Sequence, residues 1–435
     1  MNPELGFYSL GALMVLLVLR VPIGLALTAV AFVGLYLLRG FNPAFGVLKA
    51  TPFEFVAHWT LSAVPMFVLI GAIAAHSGMV GRIFRALKLW VGWLPGGLAI
   101  ATSFAGAGFA AMSGSSLATT AAMGRIAVPE MLKEGYQPAL ATGVATAVGT
   151  IGALIPPSII MVIYATFAEV SASKMLIAGV IPGILTAIAY ASLVAIRCLI
   201  NPDLAPVIAR RQAERREHLR GFLDVLPVLI LALGITGSIY AGIATSTEAA
   251  GFGVLLTLII VMAQRVLSWR GLRDSIYETT VTTASIFLIA IGAAMMTQFL
   301  AFTGMPRVLS GAIMGITADP VGIMLICCLL YLILGCFLDP MGVMLLTLPI
   351  ILPIIDNAGI NPIWAGVILV KMLEVGLLTP PVGLNCFVMK STLGGQVSLG
   401  TIIRGTSWFL TVEAVVVALM LAFPQIILFL PSLMD

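Results

Sequence analysis

The chain has 435 residues, of which 60% are hydrophobic and only 9% carry a charge, for a formal net charge of +4. A soluble domain carries roughly a quarter charged residues, so this composition excludes a water-soluble enzyme or a nucleic-acid-binding module and fits a polytopic α-helical membrane protein. Cys198, Cys327, Cys328, Cys336 and Cys386 sit in apolar runs without metal-ligand spacing, and are read as packing residues.

In chain order, residues 5–19 and 21–38 form two short apolar runs parted by Arg20 and Pro22. The N-terminus lacks the basic region of a cleavable signal, so the first run is read as a retained span. Residues 40–60 mix Asn42, Lys49, Glu54 and His58 with prolines, as an interfacial segment would. A span over about 61–80 leads to Arg82, Arg85 and Lys88 on a basic amphipathic helix at the membrane surface. Residues 95–128 are rich in Gly, Ala, Ser and Thr around Ser113-Gly114-Ser115-Ser116, which predicts a re-entrant hairpin of two half-helices.

Next comes a helix over about 137–168 broken at Gly149-Thr150-Ile151-Gly152 and Pro156-Pro157-Ser158. Two adjacent prolines remove two backbone donors, so carbonyl oxygens lose their partners, a situation tolerated in a membrane mainly where they face a cavity or an ion. A span over about 176–200 closes the first half. Arginines then crowd the loop 207–221 at Arg210, Arg211, Arg215, Arg216 and Arg220.

The second half, 222–435, repeats the plan. Spans over about 222–240, 247–264 and 280–302 precede a hairpin over about 317–352 centred on Asp339-Pro340-Met341, a broken helix over about 361–389 with Gly376, Thr379, Pro380-Pro381 and Gly383, and a last apolar run over about 400–430. At an offset of 224, Pro129 falls on Pro353, Gly135 on Gly359, Pro138 on Pro362, Gly152 on Gly376 and Pro156-Pro157 on Pro380-Pro381. The fold expected is therefore all-α, with residues 1–206 and 222–435 as two repeats, each of about five transmembrane helices and one hairpin. An odd number of crossings inverts the second repeat. With the arginine-rich loop in the cytoplasm, most basic residues share its side and both termini lie outside. Paired interruptions in inverted halves point to a transport site near the midplane, in an elevator-type transporter.

Sodium is a hard cation that takes carbonyl, hydroxyl and carboxylate oxygens. The candidate ligands are Ser113, Ser115, Gly149, Gly152 and Pro156 in the first half, and Asp339, Met341, Gly376, Thr379 and Gly383 in the second. Ser116, Ser158 and Asn385 are candidate substrate contacts. The plain alternative is that small residues pack helices closely and prolines kink them; for Asp339 it is capping of a half-helix. Glu374 and Lys371 are three apart and are read as a structural ion pair, and Glu248 as a helix cap. His58, His76 and His218 are scattered, and no Gly-rich phosphate loop ending in Lys-Ser/Thr occurs, so no catalytic centre, cofactor or nucleotide site is expected.

Taken together in their order and spacing, Arg20-Val21-Pro22-Ile23-Gly24, Ser113-Gly114-Ser115-Ser116, Ile155-Pro156-Pro157-Ser158, Thr247-Glu248-Ala249-Ala250, Phe337-Leu338-Asp339-Pro340 and Glu374-Val375-Gly376-Leu377-Leu378-Thr379-Pro380-Pro381-Val382-Gly383 are informative. The chain resembles the large membrane subunit (DctM type) of tripartite ATP-independent periplasmic (TRAP) transporters over essentially its whole length. The resemblance implies a sodium-driven importer of organic acids, such as C4-dicarboxylates or sialic acids, in a bacterial inner membrane. It implies as partners a separate small subunit of about four helices and a soluble periplasmic substrate-binding protein. Two other readings stay open on the residues: a stand-alone sodium-coupled carboxylate symporter or antiporter, and a membrane enzyme using Asp339 and Glu374 on a lipid-linked substrate. A channel fits poorly with hairpins that close the path from both sides.

Overall fold

The structure is a computed structural model; it describes residues 2–206, 215–317 and 319–434, so residues 207–214 of the expected arginine-rich loop, including Arg210 and Arg211, lie outside the described residues, while Arg215, Arg216 and Arg220 belong to the first turns of a helix and not to a loop. The described residues form helices and their connections, without strands. The first half runs α1 (Pro3–Val18), α2 (Ile23–Arg39), α3 (Phe41–Val56), α4 (Ala63–His76), α5 (Met79–Val91), α6 (Gly97–Ser113), α7 (Ser116–Lys133), α8 (Pro138–Ala147), α9 (Ile159–Phe167), α10 (Ala172–Ala178) and α11 (Val180–Ile200). The second runs α12 (Arg215–Tyr240), α13 (Ser246–Ala263), α14 (Trp269–Thr303), α15 (Met305–Ile316), α16 (Pro320–Gly335), α17 (Pro340–Asn357), α18 (Pro362–Leu378), α19 (Leu384–Leu393), α20 (Leu399–Ala422) and α21 (Gln425–Ser432).

Local chemistry sets these boundaries. Proline occupies the first helical position of α8, α16, α17 and α18, where its missing N–H has no intrahelical partner to lose. Side-chain oxygens of Ser115, Ser158, Thr245, Asp319, Asp339 and Asn361 accept from the first free N–H groups of the helices that follow. Thr245 and Glu248 form a complete capping box, as expected for Glu248.

The duplication seen in the sequence is carried into the helices. The boundaries Gly97, Ser113, Ser116 and Lys133 reappear 224 positions on, within two residues, as Pro320, Gly335, Pro340 and Asn357. Pro138 and Pro362 both open a helix, Gly135 and Gly359 are both left-handed, and both Pro-Pro bonds are cis. Each hairpin is closed by its own polar contacts. The Leu98 N–H donates to Tyr136 Oη at 3.1 Å across the foot of α6 and α7, and the Thr347 hydroxyl meets Tyr331 Oη at 2.7 Å between α17 and α16.

Several expected segments differ in extent. α14 is one helix of 35 residues that starts at Trp269, ahead of the span expected from about 280, and carries Arg270 and Arg273 in its first two turns. α15 is an apolar-faced helix of its own, ahead of the second hairpin, in the place that α5 holds ahead of the first. The basic helix α5 buries Met79, Val80, Ile83 and Phe84 on one face while Arg82 and Arg85 stand on the other. The two broken helices also differ. α8 tightens into a 3-10 segment over Val148–Ala153, whereas α18 stays α-helical to Leu378. Among the described residues seven helices are long and apolar enough to cross a membrane, and α1, α2, α6 and 138–153 are shorter apolar helices.

α14 packs along α2 and α4, α20 along α8, and α16 along α18. These contacts build two apolar cores, one around α2, α14, α17 and α18, the other around α6, α7 and α8. Met112, beside the first hairpin tip, belongs to the second core, and Met341, at the second tip, to the first.

Candidate functional site

Both hairpins end at one cavity of about 520 Å³. Gly114, Ser115, Ser116 and Leu117 of the first tip face Asp339, Pro340 and Met341 of the second across it, with Pro22, Ile23 and Gly24 before and at the start of α2, and Ile159 and Ile160 at the start of α9. One long wall is α14, through Thr282, Ser285, Ile286 and Leu288 among others. The wall is mostly apolar, and its polar side chains are Ser115, Ser116, Thr282, Ser285 and Asp339. No lysine or arginine lines it. Helices α2, α7, α9 and α17 all begin at this cavity, so four positive dipole ends converge there, although Ser115, Ser158 and Asp339 already accept from N–H groups in the first turns of α7, α9 and α17.

The first tip is built by close backbone approach. Gly114 is left-handed, with φ +57°, and a Cβ on it would lie 2.3 Å from the Pro157 carbonyl oxygen. A Cβ on Gly152 would lie 2.9 Å from the Ser115 carbonyl. The serines and the broken helix are thus in direct contact, which the sequence spacing alone does not require. Within the tip the Thr119 hydroxyl donates to the Ser115 carbonyl at 2.8 Å and stands 3.3 Å from Ser113 Oγ. Ser113 itself is buried behind the cavity wall.

Behind Ser116 lies a polar cradle. Ser116 Oγ donates to Glu374 Oε2 at 2.5 Å, joining the first hairpin to the second broken helix. A Cβ on Gly149 would sit 2.1 Å from Thr120 Oγ1, 2.9 Å from the Ser116 carbonyl oxygen and 3.0 Å from Asn385 Nδ2. Glu374 Oε1 and both polar atoms of the Asn385 side chain are buried and have no hydrogen-bond partner among the described residues. Buried polar atoms without partners carry a desolvation cost, which a bound ion or water relieves.

The other expected residues fall into place less uniformly. Asp339 lines the cavity, and its Oδ2 also accepts from the Met341 and Gly342 N–H groups at 3.1 and 3.2 Å, so the capping alternative is realised alongside the cavity position. Gly376 lies against Gly335, in backbone contact near the second tip. The Thr379 hydroxyl turns back to the Val375 carbonyl at 2.7 Å, and Gly383 is left-handed at the start of α19. Pro156 is buried in the first break, while Pro380 and Pro381 are exposed in the second. Ser158 is occupied by the backbone, donating to the Ala153 carbonyl at 2.6 Å and accepting from the Met161 N–H. Neither Ser158, Thr379 nor Asn385 lines the cavity.

One expected pairing is corrected. Lys371 does not pair with Glu374: its Nζ lies 2.5 Å from Glu413 Oε2 on α20 and donates to Thr186 Oγ1 on α11 at 3.1 Å, while Glu374 is held by Ser116. Three-residue spacing puts two side chains on neighbouring faces, but in a helix buried all round each finds a nearer partner on the helix it touches. Glu413 and the α14 hydroxyls had no signal in the sequence beyond being polar groups in apolar runs.

Residues 10–426 match the family described as the tripartite ATP-independent periplasmic transporter, DctM component. The C4-dicarboxylate TRAP transporter large permease protein DctM of Pseudomonas aeruginosa is 34% identical over 385 residues, covering 87% of this chain and 88% of that protein. The sialic acid TRAP transporter large permease protein SiaM of Vibrio cholerae is 31% identical over 419 residues, covering 96% of each. In fold, the chain is similar to the YdaH transporter of Alcanivorax borkumensis, with a TM-score of 0.61 over 88% of this chain and 89% of that one at 16% identity. Two hairpins meeting at one cavity, broken helices behind them, and a match that spans nearly the whole sequence agree: the chain belongs to the DctM component family of tripartite ATP-independent periplasmic transporters.

Proposed function

We propose that the chain is the large transmembrane subunit of a sodium-driven, binding-protein-dependent importer of organic acids, and that substrate is carried in the cavity between the hairpin tips. The observation that carries this reading is the convergence of four helix N-termini on a cavity whose one charged side chain, Asp339, is already engaged by the first N–H groups of α17. Such ends attract a carboxylate through N–H groups and dipoles, and the apolar wall suits the carbon skeleton of an organic acid. Relatives named for C4-dicarboxylate and for sialic acid support an acidic substrate.

Sodium would bind on the backbone side of the tips. Ser113, Ser115, Gly149, Gly152 and Pro156 are the first set, and Asp339, Met341, Gly376, Thr379 and Gly383 the second. The buried, unpartnered Glu374 Oε1 and Asn385 Oδ1 support a cation in the first region, Glu374 through its bond to Ser116 and Asn385 through its side-chain amide against Gly149. An ion there offsets the charge brought by the acid and holds each tip against its broken helix. Each sodium ion entering down a membrane potential of about 100 mV supplies roughly 2.3 kcal/mol before its concentration term, so two ions support accumulation against the substrate's own charge. The two hairpins and broken helices would move as an elevator against the remaining helices, in a bacterial inner membrane with both termini periplasmic. A small membrane subunit of about four helices and a periplasmic binding protein are the expected partners.

The test is uptake of labelled carboxylates into proteoliposomes holding this chain with its small subunit, under an imposed sodium gradient, with and without the binding protein. Uptake that requires both sodium and the binding protein is the expected result. Sodium-dependent uptake indifferent to the binding protein would make the chain a stand-alone symporter, and uptake indifferent to sodium would remove the ion sites.

A further inference from the structure

Away from the cavity, the largest concentration of buried charge is a network in which every member is shielded from solvent: Lys371 on α18, Glu413 on α20, Tyr190 and Thr186 on α11, and Thr150 in the 3-10 segment Val148–Ala153. Glu413 is its centre. Oε2 pairs with Lys371 Nζ at 2.5 Å, and Oε1 accepts from Tyr190 Oη and from Thr150 Oγ1, the latter at 3.0 Å. Thr150 Oγ1 has one proton and three acceptors in reach: the Ala147 carbonyl, Tyr190 Oη and the Glu413 carboxylate. A hydrogen bond to a charged acceptor is the strongest of these, so the carboxylate takes the proton.

A buried ion pair is a poor source of stability, since desolvation offsets its attraction. The geometry suggests what else it does. Thr150 is the only polar side chain in Val148-Gly149-Thr150-Ile151-Gly152-Ala153, and it stands between the two glycines that press on the first hairpin. The front of this segment meets Ser115, Ser116 and Thr120 through backbone and hydroxyl contacts at Gly149 and Gly152, where there is no side chain to fix its position. Its back is fastened through Thr150 to Glu413, which Lys371 and Tyr190 hold in place. The anchor is also asymmetric: the same offset that relates the repeats lays Glu374 over Thr150, yet places Ala147 under Lys371 and Ala189 under Glu413, so only one copy of the broken helix has this support.

We propose that Lys371, Glu413, Tyr190 and Thr150 form a positioning network for the first sodium site: by fixing the rotation and depth of the 3-10 segment against the hairpin tip, they set sodium affinity without touching the ion or the substrate. This rests on the sodium reading above. A carbonyl displaced by a fraction of an ångström is a poor ligand, and none of the four network residues lines the cavity.

The experiment measures sodium dependence of uptake, at saturating binding protein and substrate, for wild type, Thr150→Val and Tyr190→Phe. Both substitutions keep shape and overall charge while removing one hydrogen bond to Glu413. The sodium concentration for half-maximal uptake is expected to rise about fivefold or more, with the maximal rate and the substrate concentration for half-maximal uptake, read at saturating sodium, within about twofold of wild type. Purified variants should show a matching rightward shift in sodium-dependent thermal stabilisation. Lys371→Met combined with Glu413→Met removes both members of the ion pair and the acceptor of Thr150, so it should show the same sodium defect without leaving either charge of the pair buried alone. An unchanged sodium requirement in folded Thr150→Val and Tyr190→Phe would overturn the proposal, as would a rise in the substrate requirement with sodium unaffected. Sodium-independent uptake by wild type would instead overturn the reading beneath it, so the two failures are distinct.

Discussion

At the residue scale the site depends on groups too small to notice. Gly152 allows the Ser115 backbone to close on the broken helix, and the contact leaves no room for a methyl group, whose carbon would sit 2.9 Å from the Ser115 carbonyl. Gly311 on α15 is the contrast, because a methyl carbon there would have nothing within 4 Å. Gly152→Ala is therefore expected to destabilise the protein by about 1–3 kcal/mol through overpacking and to impair uptake. Gly311→Ala is expected to be neutral or to stabilise by about 0.4–1 kcal/mol through loss of unfolded-state freedom. Thermal unfolding of the two purified variants in one detergent checks both, and equal behaviour would mean that the Gly152 contact is not formed. Of the small residues at Ser113–Ser116 and Gly149–Gly152 only Gly152 has an identical counterpart at the offset of 224, Gly376, so the sequence marked repeated positions, a tip and a break, rather than repeated residues. The partner of Lys371 was not: Glu413 lies 42 positions away on a helix whose contact with α18 no local pattern encodes.

At the element scale, helix identity was legible wherever a strong local rule acted. Pro138 and Pro362 open α8 and α18, Asp339 and Ser115 cap the second arms of the hairpins, and α5 is amphipathic, burying its apolar face with Arg82 and Arg85 off it. Extent was less legible where no rule interrupted an apolar run. α14 gains its first turns because Ser268 accepts from the Gly271 N–H and caps a helix that hydropathy alone would begin later. α15 falls between the expected span, ending at about 302, and the expected hairpin, starting at about 317, in a stretch given no element of its own; left-handed Gly304 and extended Thr317 bound it. If each repeat crosses the membrane an odd number of times, the second is inverted and both termini share the periplasmic side. Phosphatase fusions after residue 434 should then be active in the periplasm, and fusions between α11 and α12, at residues 207–214, inactive. Activity in the 207–214 fusions would reverse the orientation, and activity at only one terminus would break the five-plus-hairpin count.

At the scale of the whole molecule, the two copies of one plan do not form equal halves of the site. The first tip is closed on its broken helix, with Gly114 against Pro157, while Pro380 and Pro381 of the second copy stand exposed. The long helix α14 and the start of α2 complete the cavity from outside the hairpins, which the sequence does not signal because their cavity-lining residues, such as Ile23, Leu288 and Ile286, are ordinary membrane residues. What makes the site is convergence: two tips distant in sequence face one another, and four helices begin there. The direct test is thiol labelling of Ser115→Cys and Met341→Cys, one from each tip, in purified protein whose native cysteines are all buried. Both positions are expected to react with a small maleimide and to be protected together by sodium with the transported carboxylate, less so by either alone. Protection of one position and not the other, or of neither, would contradict a single site shared by the two hairpins.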